Sequence, residues 1–222
     1  MQNEPLVSIV IILSDFFHLA SLTLKSIVNQ TDKSYEVIVL ETAETKKDLI
    51  MIKPYLEKIK IVKHFEEADL PLLMNKGLEI AKGKYIHFLF SGDVYVSKFF
   101  ISYLKDLITK NNFPDLICCS FLKREENLSP EAQSFSLESF RKGEIPMNIS
   151  SCWLLISTVN QLNGFDAKYR IQSGFDLICK IFLKKNRKIF FSNRVLTDYQ
   201  VKKKPSSVDL YITWENLKII YK

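Results

Sequence analysis

The chain has 222 residues, of which 47% are hydrophobic and 25% are charged, and its net charge is +6. This size and balance fit one globular domain with a full core, and they exclude a disordered or fibrous protein. No apolar run approaches the roughly 20 residues that a transmembrane helix needs. The first apolar run follows Glu4 and Pro5 rather than a basic segment, so we expect no signal peptide and a protein that stays in the cytosol.

Short β-branched runs alternate with helical patterns through the first half of the chain. Four runs are apolar enough, or alternate regularly enough, to predict strands. They are Val7–Leu13, Tyr35–Leu40, Ile59–Phe65 and Tyr85–Phe90. Helices are predicted near residues 20–28, 45–58 and 73–81, the second weakened by Pro54 and the third ended by Gly83 as a C-terminal cap. Repeated strand–helix units indicate right-handed crossovers, and hence an α/β fold with a mainly parallel sheet and helices on both faces.

The second half alternates in the same way, with less regular spacing. One helix is predicted to begin near Val96, with Phe100, Leu104, Leu107 and Ile108 on its apolar face, and another to begin near Ser173. The predicted strands are Asp115–Leu122, Cys152–Ile156, Lys188–Phe191 and Val195–Tyr199. The polar stretch Lys123–Asn148 predicts a long mobile loop. A final helix over Leu210–Lys222 is expected to pack onto the domain or to lie on a membrane surface. Its apolar face consists of Leu210, Trp214, Leu217 and Tyr221.

Cysteines, histidines and basic residues give weaker signals. The four cysteines lack the paired spacing of a zinc site, so buried thiols in a reducing compartment are expected. The three histidines are scattered, and His87 is predicted to be a strand residue rather than a metal ligand. Basic residues dominate from Lys180 onward and include Lys202, Lys203 and Lys204. This charge fits either a solvated face or contact with an anionic lipid or glycan; without a stacked-aromatic motif, nucleic acid is not an expected partner.

Four segments carry a more specific signal. They are Val7–Asp15 (VSIVIILSD), Ser26–Thr31 (SIVNQT), Glu36–Thr42 (EVIVLET) and Asn75–Ile86 (NKGLEIAKGKYI). In this order, and on these predicted elements, the segments resemble the family 2 glycosyltransferases of the GT-A fold. Further along, Asn163–Asp166 (NGFD) resembles the Gly-Gly-Phe-Asp turn on the acceptor side of that family. The resemblance covers most of the chain, from Val7 to the final helix.

The resemblance implies one GT-A, Rossmann-like domain over residues 1–222. Residues 1–110 would form the nucleotide-binding half, residues 111–200 the acceptor-side half and residues 205–222 a C-terminal helix. The implied activity is that of a nucleotide-sugar-dependent, inverting, hexosyltransferase-like glycosyltransferase in bacterial surface polysaccharide or glycan synthesis. Its acceptor would be a glycan or a lipid-linked glycan, and its place the cytoplasm, at the inner face of the membrane. In such enzymes a divalent cation, Mg²⁺ or Mn²⁺, neutralises the charge of the departing diphosphate.

The resemblance also places a site, because ligands bind beyond the carboxyl ends of parallel strands. The residues expected to bind the nucleotide-sugar are Ser14, Asp15, Glu41, Thr42, Asn75, Gly92 and Asp93. Asp93 is expected to hold the cation, because it is the one acid kept from the family's Asp-x-Asp-Asp pattern. The acceptor-side base of the family falls on Gly174, so Asp166 and Asp176 are the catalytic candidates for accepting the proton of the attacking hydroxyl.

Several positions depart from the family pattern and leave a second function open. They are Phe90 and Gly92 in the Asp-x-Asp slot, Thr42 for an aspartate that contacts the base, Met74 for an arginine, and Gly174 for the base. The retained acids also have structural interpretations, such as Asp93 capping a helix that begins near Val96, or Asp176 in a first helical turn. The alternative function is therefore a catalytically silent GT-A module that binds a ligand or partners an active transferase.

Overall fold

The computed structural model describes residues 4–13, 17–42, 52–59, 61–65, 69–124, 129, 131–134, 138, 148–200 and 206–220. In these ranges the strands are β1 (Val7–Ile12), β2 (Tyr35–Thr42), β3 (Ile61–Phe65), β4 (Tyr85–Phe90), β5 (Val94–Tyr95), β6 (Leu116–Arg124), β7 (Glu131–Gln133), β8 (Cys152–Leu155) and β9 (Ile189–Gln200). The helices are α1 (Ala20–Val28), α2 (Leu70–Ile80), α3 (Phe100–Lys110), α4 (Ile156–Gln161), α5 (Ser173–Leu183) and α6 (Ser206–Ile220). Short 3-10 turns cover Phe17–Leu19, Lys53–Lys58 and Ile149–Ser151.

The strands form one mixed, mostly parallel sheet in the order β3-β2-β1-β4-β8-β6-β9-β5, with β7 paired to β6. Strands β1 to β4 run parallel, so their carboxyl ends lie at one edge. Strand β8 is antiparallel to both β4 and β6, and β6 pairs parallel with β9. Strand β5 is an antiparallel partner of β9, which brings the chain just beyond β4 next to the end of β9.

Both faces of the sheet are covered, because alternate side chains of each strand point in opposite directions. Every residue of β1 is buried, including its one polar residue, Ser8, as its mainly apolar sequence predicts. On one face Ile9 and Ile11 share a buried cluster with side chains of α1 and α3. On the other face Val10 and Ile12 share a cluster with side chains of α2 and α5. Since full burial of one such side chain contributes about 1.5–3 kcal/mol, the two clusters stabilise the sheet that positions the carboxyl ends of the strands.

The four strands predicted in the first half are confirmed, each within two residues of its predicted bounds. The predicted role of Gly83 as a helix cap is wrong. Helix α2 ends at Ile80, and Ala81 already has the extended conformation. A Cβ atom on Gly83 would lie 2.6 Å from the backbone nitrogen of Ser8, so glycine is needed there for the close approach of two chain segments.

Two predictions around irregular segments are corrected where the structure describes them. The helix predicted over residues 45–58 is described from Ile52 onward, and there Lys53–Lys58 forms a 3-10 turn. Pro54 lacks the amide hydrogen that a continuing α-helix would use, which explains the tighter turn. The loop predicted over residues 123–148 is shorter at its start, because β6 continues to Arg124 and Glu131–Gln133 pairs with β6 as β7.

The two short strands predicted over residues 188–199 are one strand, β9. Its pairing with β6 shifts register, so that Cys119 lies opposite Ser192 but Ser120 lies opposite Val195. Such an irregularity bends a strand without ending it. The polar residues Asn193 and Arg194, which lie between the two predicted strands, occupy this irregular stretch.

Helix α6 packs on the domain through a different face from the one predicted. Its buried side chains include Glu215 and Ile219. Ile219 belongs to a buried cluster with Tyr169, which lies just before α5 in the chain. Trp214 and Leu217 of the predicted apolar stripe are 50% and 49% exposed. Among the helices of the described ranges, none is long and apolar enough to cross a membrane.

Candidate functional site

The carboxyl ends of β1, β2 and β4 meet at one edge of the sheet, as the predicted site requires. Glu41, near the end of β2, is 4% exposed and lies opposite His64 in the pairing with β3. The backbone of Thr42 continues the strand. Ser14 and Asp15 lie outside the described residues. The structure thus places Glu41 and Thr42 at the edge expected for the nucleoside.

A tight turn follows β4 and carries Gly92 and Asp93. The amide of Asp93 donates to the carbonyl of Phe90 at 3.0 Å, and the amide of Gly92 donates to the hydroxyl of Thr23 on α1 at 2.9 Å. Gly92 has a φ of 100°, a left-handed value that a side chain would strain. Glycine, in place of the family acid at this position, therefore allows the turn to adopt this backbone conformation without strain.

Asp93 is 1% exposed, and its Oδ2 atom is held from two directions. The amide of Phe90 donates to it at 2.9 Å, and the hydroxyl of Ser150 donates to it at 2.5 Å. The interpretation of Asp93 as a cap of a helix near Val96 is wrong, because α3 begins at Phe100 and has Phe99 at its N-terminal cap position. Asp93 instead joins the end of β4 to the turn that precedes β8.

Strand β9 brings further polar groups to the Asp93 turn. Val94 pairs with Asp198, so the register places Tyr199 next to Asp93. Burial, with the charge of Asp93 second, raises the pKa of Tyr199 to about 12, so its hydroxyl keeps its proton at neutral pH. Asp198 forms a two-point ion pair with Arg124 of β6. Sequence reasoning missed Tyr199 and Ser150, because only the folded sheet brings them to Asp93.

Asn75, predicted to contact the nucleotide-sugar, holds the acceptor-side turn. Its side-chain amide donates to the carbonyl of Phe165 and its side-chain oxygen accepts from the amide of Phe165, both at 2.8 Å. Gly164, with a φ of 71°, passes so close that a Cβ atom would lie 2.5 Å from the Asn75 oxygen. The Asn-Gly-Phe-Asp resemblance therefore corresponds to a real structural unit that joins α2 to residues 163–166.

The two catalytic candidates meet at Lys180 of α5. Its Nζ atom lies 2.6 Å from Oδ2 of Asp176 and 3.9 Å from Oδ2 of Asp166. The Asp176 side chain is 2% exposed, whereas that of Asp166 is 33% exposed. Asp176 lies in the first turn of α5, as its structural interpretation predicts. Burial, with the charge of Asp176 second, raises the pKa of the Cys179 thiol to about 12.

Gly174, at the family's base position, faces the turn that holds Asp93. A Cβ atom on Gly174 would lie 3.4 Å from Cβ and Cδ1 of Ile149, which is ordinary van der Waals contact. Ile149 directly precedes Ser150, whose hydroxyl binds Asp93. One 3-10 turn, Ile149–Ser151, therefore separates the donor-side acid from the position of the missing base.

Among the described residues, Asp93 is the one side chain that the sequence predicts as a cation ligand. Within those ranges no three histidine, cysteine, aspartate or glutamate side chains are grouped to hold a metal ion. A Mg²⁺ or Mn²⁺ ion that bridges a diphosphate takes most of its oxygens from phosphate and water, so one carboxylate from the protein fits this chemistry.

Comparisons with known proteins identify the family of this chain. The sequence profile described as Glycosyl transferase family 2 matches residues 9–161. An uncharacterized glycosyltransferase of Rickettsia conorii is 23% identical over 211 residues, which cover 78% of this chain and 34% of that protein. One from Rickettsia bellii is 27% identical over 139 residues, or 62% of this chain and 20% of that protein. The chain thus spans about a third and a fifth of these relatives.

Solved structures share the fold at low sequence identity. Residues 1–349 of S. aureus TarS, in complex with UDP-GlcNAc, superimpose with a TM-score of 0.71 at 15% identity, covering 90% of this chain and 59% of that one. The mannosyltransferase PcManGT from Pyrobaculum calidifontis, in complex with GDP-Man and Mn²⁺, gives 0.68 at 14% identity, covering 96% and 60%. At these identities the likeness shows the GT-A fold alone. Because the family profile matches well over half of its residues, this chain belongs to the family 2 glycosyltransferases.

Proposed function

We propose that this domain transfers a sugar from a nucleotide diphosphate-sugar, with inversion, to a surface polysaccharide or lipid-linked glycan on the cytoplasmic side of a membrane. The observation that carries the proposal is Asp93, an acid fixed by Ser150 and Phe90 at the carboxyl end of β4. This is the edge at which an open parallel sheet binds its ligand. The similar structures of TarS and PcManGT contain UDP-GlcNAc and GDP-Man, which supports a nucleotide-sugar donor.

The residues divide into a donor side and an acceptor side. Glu41 and Thr42 would border the nucleoside, with Ser14 and Asp15 following β1, and Asp93 would hold the cation that neutralises the diphosphate. A divalent cation at this position would stabilise the negative charge of the leaving diphosphate. Of the two acceptor-side candidates, Asp166 fits the role of proton acceptor better. It is more exposed than Asp176 and lies farther from the ammonium group of Lys180.

Nucleotide binding tests the donor side directly. Unfolding temperatures and calorimetry would be measured with UDP, GDP and ADP, with and without Mn²⁺ or Mg²⁺, since specific ligands stabilise the folded state by mass action. We expect one nucleotide to bind in a cation-dependent way, and Asp93→Asn to abolish that dependence. The matched control is Asp106→Asn, an exposed acid on α3. Equal binding by wild type and Asp93→Asn would contradict the assignment of Asp93.

A second function, a silent module for binding or partnering, is favoured by the glycine at position 174. General-base catalysis is worth about 10²–10⁴-fold, so a site without a base should bind nucleotide but transfer little sugar. Sugar transfer would be measured for wild type, Asp166→Asn, Asp176→Asn and Gly174→Asp. Strong wild-type transfer that collapses in one Asn variant excludes the silent module. Activity that appears only in Gly174→Asp excludes a working transferase.

A peripheral membrane contact through α6 belongs to the same proposal. Trp214, Leu217 and Ile220 are about half exposed, and Lys218 Nζ lies 3.1 Å from the centre of the Trp214 ring. An apolar face beside basic groups suits an anionic bilayer. We expect sedimentation with phosphatidylglycerol vesicles but not with phosphatidylcholine vesicles, and loss of binding in the double variant Trp214→Ser, Leu217→Ser. Leu183→Ser, an exposed apolar residue on α5, is the control. Equal sedimentation by the double variant would contradict this contact.

A further inference from the structure

A chain of hydrogen bonds runs from the buried middle of β4 to the carboxylate of Asp93. The hydroxyl of Tyr95 lies 2.8 Å from Nδ1 of His87, and Nε2 of His87 lies 2.9 Å from the carbonyl oxygen of Ser150. The hydroxyl of the same Ser150 donates to Asp93 at 2.5 Å. His87 therefore reaches the donor site through one intervening residue.

The partners fix the tautomer of the ring. A carbonyl oxygen can only accept a hydrogen bond, so Nε2 of His87 must carry the hydrogen that it donates to Ser150. Nδ1 is then an acceptor, and the Tyr95 hydroxyl donates to it. Burial lowers the pKa of His87 to about 3, against the opposing effect of the Ser150 carbonyl, and keeps the ring neutral. The direction of each hydrogen bond is thus determined.

The ring is also held in place by its surroundings. His87 is fully buried, with the Trp153 ring 4.2 Å away and the Tyr95 ring 5.6 Å away, centre to centre. An apolar side chain would fill this core position without the cost of burying polar groups. A buried polar pair with all its hydrogen bonds made instead specifies one geometry, here the position of the turn Ile149–Ser151 relative to β4.

We propose that His87, oriented by Tyr95, is a positioning residue that holds the turn Ile149–Ser151 against Asp93 and thereby sets the affinity for the diphosphate of the donor. His87 touches neither the donor nor the acceptor. The part of this proposal that concerns the donor rests on the proposed function, whereas the part that concerns the turn does not. The same turn contacts Gly174 through Ile149, so its displacement changes both sides of the site.

Two pairs of variants separate positioning from loss of a buried group. Tyr95→Phe removes the hydroxyl that orients His87, and Tyr85→Phe removes the hydroxyl of another buried tyrosine, on β4, which donates to the carbonyl of Pro114 at 2.7 Å, away from the turn. His87→Leu removes both ring nitrogens. His87→Gln restores a donor near the position of Nε2, so it should rescue whatever depends on the bond to Ser150.

The first measurement needs no nucleotide. The amides of Ser150 and Ser151 donate to Asn148 within the turn, so their hydrogen exchange reports the turn's opening. We expect about tenfold faster exchange of these two amides in His87→Leu, a smaller increase in Tyr95→Phe and none in Tyr85→Phe. Equal exchange in Tyr95→Phe and Tyr85→Phe would overturn the proposal, and this pair decides it even where His87→Leu does not fold.

The second measurement is the affinity for UDP with Mn²⁺. We expect His87→Leu to weaken it by about tenfold and His87→Gln to restore most of it, at comparable losses of unfolding temperature. Rescue by glutamine at an equal stability cost is an effect that a purely structural role would not produce. If the affinity for UDP is unchanged in His87→Leu, His87 does not set the affinity for the donor diphosphate. A wild-type chain that binds no nucleotide would overturn the proposed function, and with it the role of His87 in donor affinity. The exchange rates would still decide the role of His87 at the turn.

Discussion

The donor-side turn after β4 and the acceptor-side start of α5 both depart from the family pattern. They differ in whether an acid at the family position makes hydrogen bonds within the fold. At the turn, the one retained acid, Asp93, accepts hydrogen bonds from Ser150 and from the Phe90 amide in a fully buried setting. At the start of α5, the base position is Gly174, and the protein beside it is the apolar side chain of Ile149. The fold therefore has hydrogen-bond donors for an acid at position 93, whereas the neighbour at position 174 needs no acid.

This difference has a consequence for how activity and stability are linked. A carboxylate that satisfies buried donors cannot be removed without destabilising the domain, because the donors lose their acceptor. A catalytic carboxylate that supports no neighbour can be replaced by glycine while the domain stays folded. A domain that loses its catalytic base can therefore stay folded and keep its donor-side acid. A silent module is consistent with this behaviour as a second function.

Asp93→Ala should destabilise the domain by about 3 kcal/mol, because hydrogen bonds to a charged group are worth about 1.5–3 kcal/mol and two buried donors lose their acceptor. Urea denaturation gives the free energy of unfolding. Asp166→Ala is the control, since the Asp166 side chain is 33% exposed and accepts one exposed hydrogen bond, from the amide of Lys168, so it should cost about 1 kcal/mol or less. Equal costs for the two variants would remove the asymmetry between the two sides of the site.

Lowering the pH should weaken the domain through His87. The folded-state pKa of His87 is about 3, below the ordinary 6.5, so the unfolded chain takes up the proton first as the pH falls below 6.5. Stability is then lost between pH 6.5 and pH 3, by about 2 kcal/mol from pH 8 to pH 5. Urea denaturation at both pH values would measure the loss. In His87→Gln that loss should disappear; a loss that persists would assign it to other groups.

The two glycines of the site should respond differently to alanine. Gly92→Ala puts a side chain at a φ of 100° and should cost about 1–2 kcal/mol. Gly174→Ala meets Ile149 at ordinary contact distance inside a helix, where alanine is favoured over glycine by about 1 kcal/mol. We therefore expect an unchanged or slightly raised unfolding temperature for Gly174→Ala. A large loss in this variant would show that glycine is needed at position 174 for packing.

The smallest expected effect is on two neighbouring titrations. The charge of Asp93 contributes to the raised pKa of Tyr199, and the charge of Asp176 to the raised pKa of Cys179, although burial is the larger cause in both. Asp93→Asn should lower the first and Asp176→Asn the second, each without affecting the other. Tyrosine ring NMR and the pH dependence of thiol alkylation would measure these changes. A crossed effect would show that the two sides are electrostatically coupled.

Much of the fold could be predicted because it is encoded locally. The apolar run of β1 and the helical stripe of α1 each reflect one repeating pattern, and both elements are observed. Strand β9 was predicted as two pieces because Asn193 and Arg194 interrupt its apolar pattern, whereas pairing with β6 carries the strand through the interruption. Local patterns therefore failed where the partner strand determines the structure.

The site could be predicted less completely than the fold. The edge of the sheet and the place of Asp93 follow from the resemblance together with the strand pattern. The hydrogen bond from Ser150 to Asp93 spans 57 residues, and no spacing rule connects these positions. Likewise, nothing in the sequence around Asn75 shows that its amide holds the backbone of Phe165, 90 residues away. Contacts of this kind depend on tertiary structure that only the folded chain provides.

The contact of Glu215 with the start of α5 bears on the order in which the domain can be completed during synthesis. The Glu215 carboxylate, 1% exposed, accepts hydrogen bonds from three consecutive backbone amides, at 2.8, 3.1 and 2.9 Å. These amides belong to Arg170, Ile171 and Gln172, which the ribosome makes more than 40 residues earlier. Glu215 is made after all three, so these amides lack this acceptor until α6 has been synthesised. The segment that leads into α5 therefore obtains its full set of hydrogen bonds only after α6 has been made.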